Sequence, residues 1–296
     1  MDTQPSGVNV SVVVASYEWP EALGMVLAGL ADQSDSCFEV IVADDGSGPD
    51  TAALIESWRG HFGGRLTHVW QEDAGYRLAR VRNLGATVAR GELLVFIDGD
   101  MVPRRHFVRA LRHTAVPGWF AGFKWLRLSR GLTERALMRR LPVYGWSLPR
   151  WLLHGRDAGP LRALTGRDRR RPGREGLPEF VPHADGYGLL SVFRGDFMRV
   201  NGYDSRFVGW GAEDVDMAVR LRRLGLRCGW PGPKATLLHL WHESRKPQIR
   251  KNDPLLAETR ASTRIEAVEG LRELETELTP IVLLSGATDA GDAHTV

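Results

Sequence analysis

Short apolar runs alternate with segments of helical periodicity over the first hundred residues of the chain. Four runs rich in Val, Ile and Leu read as strands, the third weaker than the others: 10–14, 38–43, 66–70 and 93–97. Apolar residues recur at helical spacing in the intervals between them: 20–30, 51–58 and 78–89. Continuous apolar strands that alternate with helices are typical of parallel βαβ units, so this half predicts an α/β fold with a mostly parallel sheet.

Acidic residues follow two of these strands directly. Asp44 and Asp45 follow the second, and Asp98 and Asp100 follow the run 93–97. The carboxyl ends of parallel strands meet at one edge of the sheet, where ligands bind at the point of reversed strand order. We therefore expect these four carboxylates to converge on one site.

Asp98-Gly99-Asp100 predicts a metal site, since two carboxylates two residues apart can both face one cation. Hard cations such as Mg²⁺ and Mn²⁺ prefer oxygen ligands and are often shared with substrate phosphates. The alternative for this tripeptide is a solvated acidic turn. Its place after a buried strand, together with the second acidic pair, favours the metal site.

Asp44-Asp45-Gly46-Ser47 has two interpretations, a simple turn or a pocket for the base and ribose of a nucleotide. A carboxylate accepts hydrogen bonds from a ring N–H or from ribose hydroxyls. Ser16, Tyr17 and Glu18, just past the first strand, would form the opposite wall of that pocket.

The second half contains a motif built around a tryptophan. Gly209-Trp210-Gly211-Ala212-Glu213-Asp214 precedes an amphipathic helix predicted over 215–224. One interpretation of the motif is purely structural, since two acidic residues at a helix start complement the helix dipole. This interpretation does not explain the Gly-Trp-Gly that precedes them. Glycines allow close backbone approach, and an indole is a platform for the apolar face of a sugar ring. A carboxylate beside it can act as a general base on an acceptor hydroxyl.

Two histidines, His239 and His242, follow or end a strand predicted over 236–240. Either one is a candidate metal ligand, with His239 preferred because it ends the strand. An apolar strand is also predicted over 186–194. A single helix is predicted over 254–278 from Arg/Glu pairs at helical spacing, followed by a disordered tail after residue 285.

Basic residues open the helix that precedes the Asp-Gly-Asp strand. Arg77 and Arg80 are candidates for contacts with donor phosphates, and Asn83 lies on the same helix. A solvated helix face explains each arginine equally well. Arg82 belongs to the same group.

Charge and cysteine content limit the classes of function. The chain has 39 Lys+Arg against 36 Asp+Glu, a formal net charge of +3, which is too balanced and mixed for a nucleic-acid binder. Cys37 and Cys228 belong to no CxxC pair and lie among apolar residues, so buried free thiols and a reducing compartment are expected. With no signal peptide or membrane-length apolar stretch recognised, we expect a cytoplasmic protein, and contact with the inner membrane face is left open.

An Arg-rich loop over 166–174 is the one strong local run of positive charge. It is short and bounded by glycine and proline, which favours a solvated loop. Contact with anionic lipid or an acidic glycan is the alternative.

Five motifs in this order resemble those of family 2 glycosyltransferases of the GT-A fold. The resemblance covers residues 10–112 and 185–246, and the second part is similar to the galactosyltransferase-type segment of β-1,4-galactosyltransferases, chondroitin-type polymerases and polypeptide N-acetylgalactosaminyltransferases. The motifs that carry it are VVVASY at 12–17, VADDGS at 42–47, GYRLARVRNLG at 75–85, FIDGD at 96–100 and GWGAED at 209–214.

The resemblance implies a role for each motif. Asp98 and Asp100 match the motif that holds Mn²⁺ or Mg²⁺ and the donor diphosphate, and His239 matches the third metal ligand. Asp45, with Asp44 beside it, matches the base-binding aspartate, which usually binds uridine.

The acceptor half is assigned in the same way. Asp214 matches the catalytic base of inverting members, while Glu213 and Trp210 match contacts with the acceptor and the donor sugar. Gly99 is expected to contribute to donor binding and Gly211 to acceptor binding. The expected activity is inverting transfer from a UDP-sugar to a glycan or glycolipid hydroxyl. Relatives vary at the position of Gly99, and the Arg-rich segment matches nothing in the family.

The expected organisation is one GT-A domain with a C-terminal extension. Its parts are a nucleotide-sugar-binding half, a variable acceptor-side segment, an acceptor and catalytic half, and a terminal helix with its tail: 1–115, 116–182, 183–250 and 251–296. The rival functions are an inactive nucleotide-sugar-binding module and a sugar nucleotidyltransferase. The latter usually has a Gly-rich basic loop after its first strand, where this chain has Ala15 to Trp19.

Overall fold

The computed structural model describes residues 8–153, 189–243 and 251–277 of the chain. The Arg-rich loop 166–174 and the predicted tail after residue 285 lie outside these residues. The strands are β1 Val10–Ser16, β2 Phe38–Asp44, β3 Leu66–Trp70, β4 Leu93–Asp98, β5 Met101–Pro103, β6 Trp119–Gly122, β7 Trp125–Arg127, β8 Leu190–Phe193, β9 Arg227–Gly229 and β10 Leu237–His239. The α-helices are α1 Pro20–Ala31, α2 Pro49–Phe62, α3 Leu78–Thr87, α4 Phe107–Thr114, α5 Arg130–Arg139, α6 Leu148–Leu153, α7 Arg194–Arg199, α8 Glu213–Arg223, α9 Asp253–Ala261 and α10 Leu271–Glu277.

A seven-stranded sheet forms the centre, in the order β3-β2-β1-β4-β8-β6-β9. The first four strands in this order pair in parallel, β8 runs antiparallel to both β4 and β6, and β9 is parallel to β6. The predicted mostly parallel α/β sheet is confirmed. The chain moves outward from β1 in one direction through β2 and β3 and then returns to β4 on the other side, so the strand order reverses beside β1.

Both faces of this sheet are buried, which explains the continuous apolar strands. Val12 and Val14 of β1 pack in one apolar cluster with helices α1 and α2, whereas Val13 packs in a second cluster with α3. Alternate side chains of a strand point to opposite faces, so each face requires its own apolar set. Helix α3 lies very close to the sheet at Gly85, where an added Cβ would be 2.5 Å from Val13 Cγ1.

A second, three-stranded sheet has the order β5-β10-β7. Strand β10 is antiparallel to β5, with His239 opposite Met101, and parallel to β7, with His239 opposite Arg127. The backbone N–H of Leu240 also donates to the carbonyl of Asp100, at 3.0 Å. This sheet therefore holds the end of β10 beside the Asp-Gly-Asp turn.

The middle of the chain contains elements that periodicity did not predict. Strand β6, within the segment 116–182, pairs with β8 and β9 in the central sheet. Helix α5 begins at Ser129, whose Oγ accepts from the N–H of Leu132 at 3.2 Å. The segment thus contributes to the central sheet as well as to the region around α5.

The predicted single helix over 254–278 is wrong. Helices α9 and α10 are separated by an interval in which the backbone bonds to other elements. The N–H of Ala267 donates to Val200 O at 2.9 Å, and that of Leu271 donates to Asn201 O at 3.1 Å. At Gly270, an added Cβ would lie 1.8 Å from Asn201 O. This close contact with the turn at residues 200–202 outweighs the local helical pattern.

Of the two cysteines predicted to be buried, one is buried and one is exposed. Cys228 is buried in β9, but Cys37 is exposed in the turn before β2, so its predicted burial is wrong. Its local apolar neighbours begin only at Phe38, where the strand enters the sheet. Within the described residues, no helix combines the length and apolar character needed to cross a membrane.

Candidate active site

The loops after β2 and β4 are both bonded to the end of β1. Asp45 N–H donates to Ser16 O at 2.9 Å, and Gly99 N–H donates to Ala15 O at 2.7 Å. In register, Ser16 is opposite Asp44 and Ala15 is opposite Asp98. The two acidic pairs therefore lie on either side of β1, at the carboxyl edge where the strand order reverses.

Asp45, the residue predicted to border a base pocket, is buried and held by two polar neighbours. Its Oδ1 accepts from Gln71 Nε2 at 2.5 Å, and its Oδ2 accepts from the backbone N–H of Arg77 at 2.8 Å. Burial raises the pKa of the Asp45 carboxyl, while these two hydrogen bonds oppose the increase. Gln71 was not predicted from the sequence, because a single glutamine after a strand carries no motif.

Asp44 has a different role from its neighbour. The side chain is fully buried, with Oδ1 accepting from Ser47 N–H at 2.8 Å and Oδ2 lying 3.1 Å from His68 Nε2. These contacts shape the turn after β2. The structure thus separates the two aspartates: Asp44 contacts Ser47 and His68, whereas Asp45 accepts from Gln71 and Arg77.

The predicted opposite wall lies beside this turn. Glu18 N–H donates to Ser47 Oγ at 2.9 Å, and Glu18 Oε1 accepts from Gly48 N–H at 2.5 Å. Tyr17 is 41% exposed, and its hydroxyl donates to Asp73 Oδ2 at 3.1 Å. An exposed phenol ring offers a surface on which a planar base can stack.

The basic residues of the 77–83 stretch do not act as a group. The Arg77 guanidinium donates to Glu72 O, and Arg80 Nη1 donates to Gln71 Oε1 at 2.6 Å, which orients the glutamine beside Asp45. Asn83 is fully buried, donating to Tyr203 O and accepting from Tyr203 N–H, each at 2.8 Å. The Asn83 amide thus holds the backbone of Tyr203, and its predicted contact with a donor stays a prediction.

Arg82 is the residue that joins the two halves of the site. Its Nη2 donates to Asp98 Oδ1 at 2.8 Å, its Nη1 lies 3.4 Å from Glu213 Oε1, and its guanidinium carbon is 5.3 Å from the Tyr203 ring centroid. The side chain is 1% exposed. Burial raises the pKa of Asp98 and Asp100 adds to this, whereas Arg82 lowers it.

One signal in the sequence does separate Arg82 from its neighbours. It lies three or four residues from Ala79 and Ala86, both small and buried, so it shares the inward face of α3. An arginine on the buried face of a helix needs an ionic partner.

Three ligand-type side chains converge on the Asp100 side of the turn. Asp100 Oδ2 lies 3.3 Å from His239 Nε2 and 3.4 Å from His242 Nε2, and the two imidazole nitrogens are 3.2 Å apart. All three atoms lie within 4.8 Å of one another, as ligands of one cation would. His242 Nδ1 is 2.8 Å from Glu243 O, which favours a proton on Nδ1 and leaves Nε2 to bind a metal. Both histidines thus lie beside Asp100, whereas the Asp98 carboxylate accepts a hydrogen bond from Arg82.

The tryptophan motif forms a tight loop ahead of α8. Gly209, Gly211 and Ala212 all have positive φ, of 88°, 92° and 76°. Gly209 N–H donates to Tyr76 O at 2.8 Å, which ties the loop to the segment before α3, and Trp210 is 41% exposed. The loop therefore presents an indole to solvent at the rim of the acidic site.

Glu213 and Asp214 begin α8 with little exposure, 6% each. Asp214 Oδ1 accepts from Val215 N–H at 2.8 Å. Glu213 Oε2 is buried with no hydrogen-bond partner in the described chain. Burial, and then the neighbouring Asp214, raise the pKa of Glu213 to about 7, although Arg82 opposes this.

The raised pKa of Glu213 predicts a specific pH dependence of stability. Because the folded protein holds this proton at a higher pH than the unfolded chain, the neutral carboxyl stabilises the fold, and this contribution is lost as pH rises from about 4.5 to 7. We expect wild type to lose about 2 kcal/mol relative to Glu213→Gln across that range. Urea unfolding of both proteins at several pH values measures the difference. Glu258→Gln, which removes an exposed carboxylate, is the control, and a constant difference for Glu213→Gln would contradict the raised pKa.

Two parts of the chain match known families. Residues 11–144 match glycosyl transferase family 2, and residues 178–243 match the N-terminal domain of galactosyltransferase. Validoxylamine A glucosyltransferase from Streptomyces hygroscopicus subsp. jinggangensis is 30% identical over 236 residues, which cover 73% of this chain and 52% of that protein. The chain spans about half the length of the first curated relatives it matches.

Two solved structures resemble the whole fold. Mannosyltransferase PcManGT from Pyrobaculum calidifontis, in complex with GDP-Man and Mn²⁺, has a TM-score of 0.52 at 17% identity, covering 92% of this chain and 74% of that one. S. aureus TarS 1-349 in complex with UDP has a TM-score of 0.58 at 15% identity, covering 90% of this chain and 68% of that one. At these identities the likeness establishes the fold alone.

Proposed function

The chain belongs to the family 2 glycosyltransferases and has their GT-A fold, and from this premise we propose that it transfers a sugar, with inversion, from a nucleoside-diphosphate donor to a hydroxyl of a glycan or glycolipid. The observation that carries the proposal is the meeting of three groups at one edge of the sheet. These groups are Asp45 with its polar neighbours, the Asp100 cluster with its two histidines, and the Glu213–Asp214 pair. Arg82 bonds to Asp98 of the Asp-Gly-Asp turn and to Glu213, which connects that turn to the third group.

The donor set of Asp100, His239 and His242 fits a divalent cation, and Mn²⁺ better than Mg²⁺. Imidazole suits transition metals, while Mg²⁺ prefers an octahedron of oxygen ligands. When bound there, the cation would offset the negative charge of the donor diphosphate. The Mn²⁺ in the mannosyltransferase structure is consistent with this preference. Asp98, held by Arg82 at 2.8 Å, would accept hydrogen bonds from the donor or share the cation from the other side.

Asp45 with its polar neighbours would bind the base of the donor. Gln71 and the Arg77 N–H fix the carboxylate, and Tyr17, which follows β1, is 41% exposed. A carboxylate accepts a hydrogen bond from the ring N–H of uracil, so we favour a UDP-sugar. One structural neighbour has UDP bound and another GDP-Man, which makes the base the first property to measure.

Asp214 is the proposed general base. It would take the proton from the acceptor hydroxyl as that oxygen forms its bond to the anomeric carbon. The bond from the anomeric carbon to the diphosphate breaks in the same step, and the diphosphate leaves with the electron pair. Trp210 would stack on the apolar face of the acceptor sugar. Glu213, neutral below about pH 7, would donate a hydrogen bond to a sugar hydroxyl.

A thermal-shift titration with UDP, GDP, CDP and dTDP tests the donor site, each with Mn²⁺, with Mg²⁺ and with chelator. A ligand at 100 times its Kd stabilises the native state by about 2.7 kcal/mol. We expect UDP with Mn²⁺ to raise Tm by about 5 °C, more than any other combination. A larger shift with GDP than with UDP would show that the donor nucleotide is a guanosine diphosphate and not a uridine diphosphate. No shift with any nucleotide would refute the donor site, and the binding-module and nucleotidyltransferase alternatives would then be tested with nucleotide sugars and triphosphates.

The proposed setting is the cytoplasmic side of the membrane, where nucleotide sugars are available. A glycolipid acceptor would require contact with the membrane surface, for which the Arg-rich loop 166–174 is the candidate. Transfer to detergent-solubilised glycolipid, compared with transfer to soluble glycan, distinguishes the two acceptor classes.

A further inference from the structure

The C-terminal segment contacts the loop that carries Trp210. Asn252, the residue before α9, is 4% exposed, and its Nδ2 donates to Gly211 O at 2.8 Å. This contact joins two parts of the chain 41 residues apart. Asn252 lies beyond residue 243, where the second family match ends. The loop thus has a partner that the family motifs do not include.

The Trp210 loop needs external support because its backbone is strained. Ala212 has a φ of 76°, a left-handed conformation that costs a residue with a Cβ about 1 kcal/mol or more. Strained backbone persists only when its surroundings hold it in place. On one side Gly209 N–H bonds to Tyr76 O, and on the other side Asn252 bonds to Gly211 O. Trp210 lies between these two anchors.

Helix α9 provides a rigid base for Asn252. Thr259 of α9 is fully buried, and its hydroxyl donates to Asp216 Oδ1 of α8 at 2.7 Å. Asp216 Oδ2 pairs with Arg220 Nη2 at 2.6 Å, and Arg220 Nη1 donates to Val200 O and Gly202 O, each at 2.8 Å. This buried network fixes α9 against the same helix whose first residues are Glu213 and Asp214.

We propose that Asn252 is a positioning residue, which sets Trp210 at the correct distance from Asp214 and thereby determines how the acceptor sugar binds. The proposal rests on the proposed glycosyl transfer and adds a residue outside the family motifs to it. Among the described residues, the Asn252 side chain donates its hydrogen bond to Gly211 of the Trp210 loop, so we expect its replacement to act on acceptor binding.

The test compares Asn252→Ala and Asn252→Asp with wild type, with Glu258→Ala as control. Aspartate keeps the size of asparagine but has no N–H for Gly211 O, so it remains informative if the alanine variant does not fold. Glu258 also lies on α9, and its ion pairs within the described residues are with Arg206 and Arg264 instead of residues 209–213. The measurements are acceptor KM and kcat, the UDP thermal shift, and amide hydrogen exchange of residues 209–213.

Both Asn252 variants are expected to lose about 10- to 100-fold in kcat/KM for the acceptor, since a displacement of about 1 Å costs this much. Their UDP shift stays at the wild-type value, exchange at 209–213 becomes faster, and Glu258→Ala changes neither. Unchanged exchange, or faster exchange with unchanged acceptor kinetics, would overturn the proposal. If wild type transfers no sugar, the proposed function fails, while the exchange comparison still decides whether Asn252 holds the loop.

Discussion

Replacing Asp214 with asparagine is expected to abolish sugar transfer and leave donor binding intact. The amide keeps the size of the side chain and can still accept from Val215 N–H, as Asp214 Oδ1 does at 2.8 Å, but it cannot take a proton from the acceptor. Loss of a general base costs about 10²- to 10⁴-fold in rate. We therefore expect kcat to fall by about 10³-fold, with the UDP-induced thermal shift unchanged.

Asp50→Asn is the matched control for this variant. Asp50 is exposed in the first turn of α2, so it too is an aspartate at a helix start, but it lies outside the site. Its replacement should leave kcat at the wild-type value. If Asp214→Asn turned over normally, the base assignment would be wrong, and Glu213 would be the next carboxylate to replace.

The second large effect is expected at the cation cluster. Asp100→Asn and His239→Ala each remove one ligand from a set whose atoms lie within 4.8 Å of one another. We expect the Mn²⁺-dependent part of the UDP thermal shift to disappear, together with at least a 100-fold loss of Mn²⁺ affinity. The shift that UDP gives in chelator should remain.

Mn²⁺ affinity can be measured directly by electron paramagnetic resonance, without any turnover. His113→Ala, which removes an exposed histidine at the end of α4, controls for the loss of an imidazole. A full Mn²⁺ response in Asp100→Asn would remove the metal site from the proposal. A full response in His239→Ala alone would instead identify His242 as the sufficient imidazole ligand.

Local patterns in the sequence predicted the parallel half of the central sheet, strands β1 to β4. Val10 to Val14 form a strand because β-branched residues favour extended backbone, and the helices on both faces follow from the apolar spacing around them. The convergence of Asp45, Asp98 and Asp100 also follows, since the ends of parallel strands share one edge. These features depend on short stretches of chain, which is why periodicity predicts them.

The direction of individual side chains depends on tertiary contacts and could not be predicted in the same way. Asp44 and Asp45 are adjacent, yet the Asp44 side chain contacts His68 and the Asp45 side chain accepts from Gln71. The sequence did not distinguish Arg82 from the neighbouring arginines as a partner of Asp98, because that contact depends on how α3 packs against the sheet. The break between α9 and α10 likewise comes from bonds to residues 200 and 201, far away in sequence.

The small sheet β5-β10-β7 has a consequence for how the candidate cation site tolerates substitutions elsewhere in the chain. It places His239 opposite Met101, directly beside Asp100, through backbone hydrogen bonds that span 138 residues of chain. Backbone pairing does not depend on the side chains of the intervening residues. Helices α4, α5, α7 and α8 lie between β5 and β10 in the chain, so substitutions on their exposed faces should leave this pairing unchanged. Backbone pairing thus holds together candidate cation ligands that come from distant parts of the chain.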